Sequence, residues 1–269
     1  MSSRMIKNRL MVGAAALPVL LAGPAMAAPQ TYNWAGFYAG LNGGGAWSST
    51  HQTTTVPCTE PLGTGYICAT ALPLTPNAAA VGAAYSGSFS GSGFTGGVQA
   101  GYNWQTGAAV YGVELDLESL PRVSAQRAGA LPVGFVFPAG TPFSGSTSVG
   151  ADWLFTARGR LGWAFNNLLV YGTGGLAETR LKTSSTYADS FGGVGSWSSI
   201  ANKTGWTAGA GVEYALSKEW TIKAEYLYVN FGSVTAPGTV GGPLGYASAL
   251  STSNDLTAQI ARVGVNYKF

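Results

Sequence analysis

"YGVELDLESL", Tyr111 to Leu120, sets Glu114, Asp116 and Glu118 at alternate positions, with Val113, Leu115 and Leu117 between and before them. A period of two is the mark of a β-strand, whose side chains leave on opposite faces. This strand therefore has one acidic face and one apolar face. Charge is scarce in the rest of the chain: 9% of residues are charged, 46% hydrophobic and 12% aromatic. That balance fits neither an ordinary soluble surface nor a disordered chain.

The same division recurs along the sequence. In "FTGGVQAGYNWQ", Phe94, Val98, Ala100, Tyr102 and Trp104 oppose Thr95, Gln99, Asn103 and Gln105. From Asp152 to Phe165, Trp153, Phe155, Ala157, Leu161 and Trp163 alternate with Thr156, Arg158 and Arg160. Trp206, Ala208, Val212 and Tyr214 oppose Thr207 and Glu213; Trp220, Ile222, Tyr226 and Tyr228 oppose Thr221, Lys223 and Glu225. Near the end, Ala261, Val263, Val265, Tyr267 and Phe269 oppose Arg262, Asn266 and Lys268. Less regular strands are expected at 37–47 and 168–182, which brings the total to eight.

Connections alternate in length. Short turns fall at Thr106-Gly107, Asn166-Asn167 and Ser217-Lys218, whereas long segments cover roughly residues 49–92, 119–151, 184–203 and 232–255. All long segments thus lie at one end, a pattern of outer-membrane barrels that soluble sandwiches have no reason to keep. Hydrocarbon leaves no backbone group without a partner, so a sheet enters it only as a closed ring. The expected fold is all-β: an eight-stranded antiparallel transmembrane up-and-down β-barrel with short periplasmic turns and long extracellular loops. The first long segment has room for another hairpin, so ten strands remain an alternative.

In such a barrel the apolar faces meet lipid, and aromatic residues gather near strand ends as interfacial girdles. The polar faces line a lumen that eight strands leave just wide enough for side chains to fill. Glu114, Asp116, Glu118, Arg158, Arg160, Glu213, Lys223, Glu225 and Arg262 fall at similar heights above the short turns, which predicts an interior ion-pair network. A one-residue slip would turn its bases toward lipid at about 2–4 kcal/mol each near the midplane. Carboxylates two residues apart on a strand are about 6.6–7 Å apart, a spacing open to a calcium site or an acid/base pair. Arginines on a neighbouring strand favour structural ion pairs instead.

Residues 1–27 read as a secretory signal peptide, with Arg4, Lys7 and Arg9, an apolar Leu10–Ala22 stretch and the small-x-small motif Ala25-Met26-Ala27. Residues 28–269 are expected to form one barrel domain. Those three cations match the formal excess of +3, so the remainder is neutral, and nucleic-acid binding loses its electrostatic support. Residues 28–269 contain no apolar run long enough for a membrane helix.

"NWAGFYAGLNGGGAW" (Asn33 to Trp47), "FTGGVQAGYNWQ", "LVYGTGGLA" (Leu169 to Ala177) and the terminal "ARVGVNYKF" resemble the small outer-membrane β-barrel porin family of alphaproteobacteria, which includes outer-membrane immunogenic proteins. The resemblance covers essentially all of residues 28–269. It implies an outer-membrane location, a terminal signal of Val263, Val265, Tyr267 and Phe269 presented to the barrel-assembly machinery, and an envelope-supporting, surface-exposed role. Some members are described as porins or haem binders, but no residue motif carries either activity here.

Cys58 and Cys68 are the only cysteines and share the first long segment; in an exported chain they are expected to pair, with free thiols or intermolecular pairing as the alternatives. The single histidine, His51, stands among Ser and Thr without nucleophile spacing, and one histidine cannot build a zinc site. Neither catalysis, a metal nor a cofactor is expected. "GALPVGFVFPAGTPF" carries Leu131, Val133, Phe135, Val136, Phe137 and Phe143 in a segment placed outside the cell. It is a candidate contact surface, unless it packs on its own hairpin or extends a strand. The functional expectation is a non-enzymatic envelope protein whose loops meet a host or surface ligand; a small-solute porin with a narrow charged lumen and a haem-binding or adhesin protein are the alternatives. Outer-membrane lipid is the expected surrounding.

Overall fold

The computed structural model describes residues 32–59, 65–68, 76–134 and 137–269. The expected export segment, residues 1–27, lies outside them, as do Phe135 and Val136. Among the described residues there are nine strands: β1 Gly36–Thr55, β2 Gly87–Thr106, β3 Ala109–Glu118, β4 Val123–Leu131, β5 Thr141–Phe165, β6 Leu168–Asp189, β7 Val194–Ala215, β8 Trp220–Gly241 and β9 Ala247–Lys268. One helix, α1, spans Pro76–Tyr85, and a 3-10 turn spans Pro243–Gly245.

Except for β3 and β4, neighbours in sequence pair antiparallel; β3 pairs with β5 and β1 with β9, so the sheet closes into a ring with no through-going edge. Nine strands make eight staves because β3 and β4 share one position. β3 pairs with the lower part of β5, from Ala109↔Trp163 to Glu118↔Leu154, and β4 pairs with its upper part, from Val123↔Val149 to Leu131↔Thr141. The break between them contains Pro121, which has no N–H to give a ladder.

The short turns fall where the sequence places them. Gly107 and Asn166 adopt φ of 61° and 53°, the left-handed geometry that two-residue hairpins need. At the other end the segments expected as long loops are largely strand: β4 with upper β5, upper β6 with β7, and upper β8 with β9. Only residues 190–193 and 242–246 remain as tips between the last two pairs. The sequence hid this because "TSSTYAD" and "ASALSTSND" are polar at most positions. With water outside and hydroxyl groups inside, the alternation that reveals a strand in lipid is faint. Among its described residues the first long segment contains α1 and no further strand, and the ring has eight staves.

Outward residues form the expected apolar band, with Leu41, Phe94, Leu161 and Leu176 more than 60% exposed. Phe37, Tyr102, Trp104 and Tyr111 pack ring to ring beside the turns, as do Trp220, Tyr267 and Phe269. That is one interfacial girdle. Trp206 and Tyr228 pack together toward the opposite boundary.

Inside, the lumen is filled in layers. Tyr32, Trp34, Leu169 and Tyr171 pack at the turn end. The charged residues follow, then an apolar floor that includes Leu154, Leu227, Val229 and Ile260. At the far mouth lies a second apolar cluster in which Tyr66, Val81 and Tyr85 meet Leu131, Phe143 and Trp197.

Candidate functional site

Strand parity delivers the charges to one place. Glu114, Asp116 and Glu118 on β3 point inward because Val113, Leu115 and Leu117 take the lipid face; the three acids are at most 3% exposed. β5 supplies Arg158 and Arg160, paired across the ladder with Glu114 and Gly112. β7 brings Glu213, β8 brings Lys223 and Glu225, and β9 brings Arg262.

Arg158 is the hub. Its guanidinium reaches Glu114 at 2.5 Å, Asp116 at 2.8 Å and Glu225 at 3.1 Å. Arg262 binds Asp116 at 2.7 Å, Glu118 at 3.1 Å and Glu225 at 2.5 Å. Lys223 Nζ donates to both oxygens of Glu114 at 2.9 and 3.0 Å. Arg160 binds Glu213 at 2.7 Å and stacks over the Tyr171 ring, 4.0 Å from its centroid. The structure thus brings together all nine lumen residues singled out in the sequence. Breaking one partner out of so buried a set leaves an uncompensated charge, so each bond matters more than it would in water.

Neutral side chains complete the network, and sequence reasoning missed them. Tyr38 donates to Glu114 at 2.7 Å and accepts from Arg160 at 2.9 Å; Tyr171 donates to Glu225 at 3.0 Å. Thr156 donates to Asp116, and Thr221 and Asn266 donate to Glu213. Parity was the available signal for Tyr38, since it shares the inward face of β1 with Asn42 and Ser48. Within the nine-residue ion-pair network, Glu118 Oε1 and Arg160 Nε are left without a partner among the described residues.

Above the floor the mouth is covered. Cys58 and Cys68 are joined, with Cα atoms 5.4 Å apart. The Asn77 side chain at the start of α1 donates to Val133 O and accepts from Val133 N, at 2.8 and 2.9 Å, which ties the helix to the end of β4. At the other end of α1, Tyr85 donates to Thr186 O at 2.5 Å, and burial pushes its phenol up to about 12. Tyr66 and Tyr187 both donate to Asp189; burial first, then that carboxylate, raises both phenols.

This arrangement corrects the reading of the apolar loop as a contact surface. Leu131, Phe137 and Phe143 are buried in the cover, and Val133 is half-buried. Leu131 and Phe143 take the inward parity of β4 and β5, where α1 packs on them. His51 points outward, its ring 3.0 Å from Ser88 Oγ. No group of three or more potential metal ligands occurs among the described residues. Val263, Val265, Tyr267 and Phe269 line the outward face of β9 and its end.

The family model and the sequence relatives agree with a barrel of the outer membrane. The family model described as outer membrane protein beta-barrel domain matches residues 14–269. A 31 kDa outer-membrane immunogenic protein of Brucella melitensis is 32% identical over 251 residues, covering 91% of this chain and 88% of the relative. A 25 kDa outer-membrane immunogenic protein of Brucella abortus is 27% identical over 280 residues, covering 99% of this chain and all of the relative. Among solved structures, the outer membrane protein OprG from Pseudomonas aeruginosa aligns with a TM-score of 0.46 at 13% identity, covering 89% of this chain and 99% of that one.

Proposed function

The chain belongs to the outer membrane protein β-barrel family, and we propose that within it this protein is a closed, non-conducting and non-enzymatic barrel that supports the envelope and displays its distal tips to the surroundings. The observation that carries this reading is the set of ion pairs strung across the lumen. Arg158 on β5 meets Glu225 on β8, and Arg262 on β9 meets Glu118 on β3. In an eight-stave ring these bonds are chords, and they occupy the cross-section through which a solute would pass. The apolar floor and the α1 cover lie in series with them.

Display is supported by the tips, where Leu244 is 90% exposed and Phe191 and Val194 are also exposed. The relatives are named as immunogenic outer-membrane proteins, and the tips are what a host or surface ligand would meet. Export through a cleaved residue 1–27 segment, and recognition of the Phe269 end by the assembly machinery, complete the proposal.

Planar-bilayer recording tests it. Refolded protein is expected to give no stepwise ion conductance; stable unit steps that change in Arg158→Ala would replace the closed barrel with a pore.

A further inference from the structure

The outer wall carries a notch that the closed-barrel reading does not use. It arises where β3 stops at Glu118 and β4 resumes at Val123, opposite a register shift between Ala151 and Leu154 on β5. Below the break, a lipid-facing cleft of about 660 Å³ runs over Val98, Leu115, Leu117 and Phe155. A second cleft of about 630 Å³ shares Leu117 and Phe155 with it and climbs to Trp153, Ser119 and Asp152. One continuous groove therefore starts in the apolar band and ends at a polar ledge.

Two cations sit over that ledge. A Cβ added at Gly150 would lie 2.8 Å from Arg122 Nε and 3.0 Å from its Cγ, so the Arg122 side chain lies flat across this glycine. Gly150 pairs with Lys182 on β6, which puts Arg122 and Lys182 on one outward row spanning three adjacent staves. Lys182 binds Asp152 at 2.8 Å, whereas Arg122 has no carboxylate partner among the described residues. Glu178 and Arg180, exposed on the same face of β6, balance each other in charge.

We propose that this notch holds one outer-leaflet lipid with a phosphate head group, its acyl chain along Leu115, Leu117 and Phe155 and its phosphate between Arg122 and Lys182. A free anion would have no use for the apolar groove. A lipid without an anionic head would have none for the paired cations. A guanidinium and an ammonium on one outward row, just above hydrocarbon, are the kind of donors that phosphate oxygens select. This inference goes beyond the closed-barrel reading and stands whether or not the lumen conducts.

Trp153 lines the groove and reports on it. The full chain is refolded into phosphatidylcholine vesicles containing lipids brominated on the acyl chain, and the Trp153 signal is taken as the difference from Trp153→Phe. Brominated phosphatidic acid is expected to quench that signal at about one-tenth of the mole fraction that brominated phosphatidylcholine requires. The double variant Arg122→Gln with Lys182→Gln should bring the two within about two-fold. Leu117→Trp fills the groove, leaves every charge in place and should also reduce the preference. Equal quenching by both lipids in the wild type, or an unchanged preference in either variant, overturns the proposal. Millimolar inorganic phosphate should leave the preference intact; loss of quenching in its presence would assign the cations to a free anion.

Discussion

Arg158 touches three carboxylates on two strands, and its removal would leave Glu114, Asp116 and Glu225 facing one another away from water. Arg158→Met should therefore cost about 3–5 kcal/mol of folding stability, read as a lowered urea midpoint of the refolded barrel in micelles. Glu118 gives the opposite case. Among the described residues its one ion pair is to Arg262 and one of its oxygens has no partner, and it is one of five network acids set against four bases. Glu118→Gln should stay within about 1 kcal/mol of wild type; equal losses in both variants would mean that the pairs do not act as a charge network.

Tyr85 tests the cover at the same scale. Burial raises its phenol to about 12, whereas an unfolded chain releases that proton near pH 10. The folded state thus binds the proton more tightly. The associated stabilisation is complete below about pH 10 and is lost as pH rises through about 12. Spectrophotometric titration should show late tyrosine ionisation near pH 12 whose amplitude is smaller in Tyr85→Phe. An unchanged late amplitude in the variant would contradict this placement. None of these contacts could be read from residue order: Tyr85 lies 101 positions from Thr186, and only the closed ring makes them neighbours.

Among the elements, the strands that cross lipid were legible and the cover was not. β3, lower β5 and β8 alternate cleanly because one side is hydrocarbon and the other a charged lumen. Upper β6 and β9 have water on one face and buried polar side chains such as Thr183, Ser185, Thr252 and Asn254 on the other, so both faces are written in Ser, Thr and Asn. The helix was missed for a related reason. "PNAAAVGAAY" buries Asn77, Ala78, Val81 and Tyr85, but its small residues carry almost no amphipathic contrast.

That helix is held at Val133 and Thr186, and the Cys58–Cys68 bond closes the segment before it. Closing so short a segment constrains the unfolded cover by roughly 3 kcal/mol in the chain-entropy view. Paired Cys58→Ser and Cys68→Ser changes should therefore make α1 sensitive to proteinase K, while the barrel keeps its heat-modifiable electrophoretic mobility. Loss of the barrel form as well would show that cover and cylinder fold as one unit.

For the whole molecule, closure is what lets the charges remain. The network residues are 5% exposed or less, and screening ions reach only what solvent reaches. Raising sodium chloride from about 0.05 to about 0.5 M should consequently move the unfolding midpoint little, whereas a water-filled lumen would lose stability steeply over that range. The same filled cross-section underlies the expected silence in a planar bilayer.

The sequence by itself determined the facing of each membrane strand, the neutral balance of residues 28–269 and the short-turn pattern, because alternation and turn chemistry are local properties of the chain. It also placed nine ionisable residues on the inward face. Only the tertiary structure decided which carboxylate meets which cation, that the pairs cross the lumen, and that the far mouth is built from strand and helix. Those outcomes depend on how eight staves are staggered when the first strand meets the last, and no segment carries that information alone.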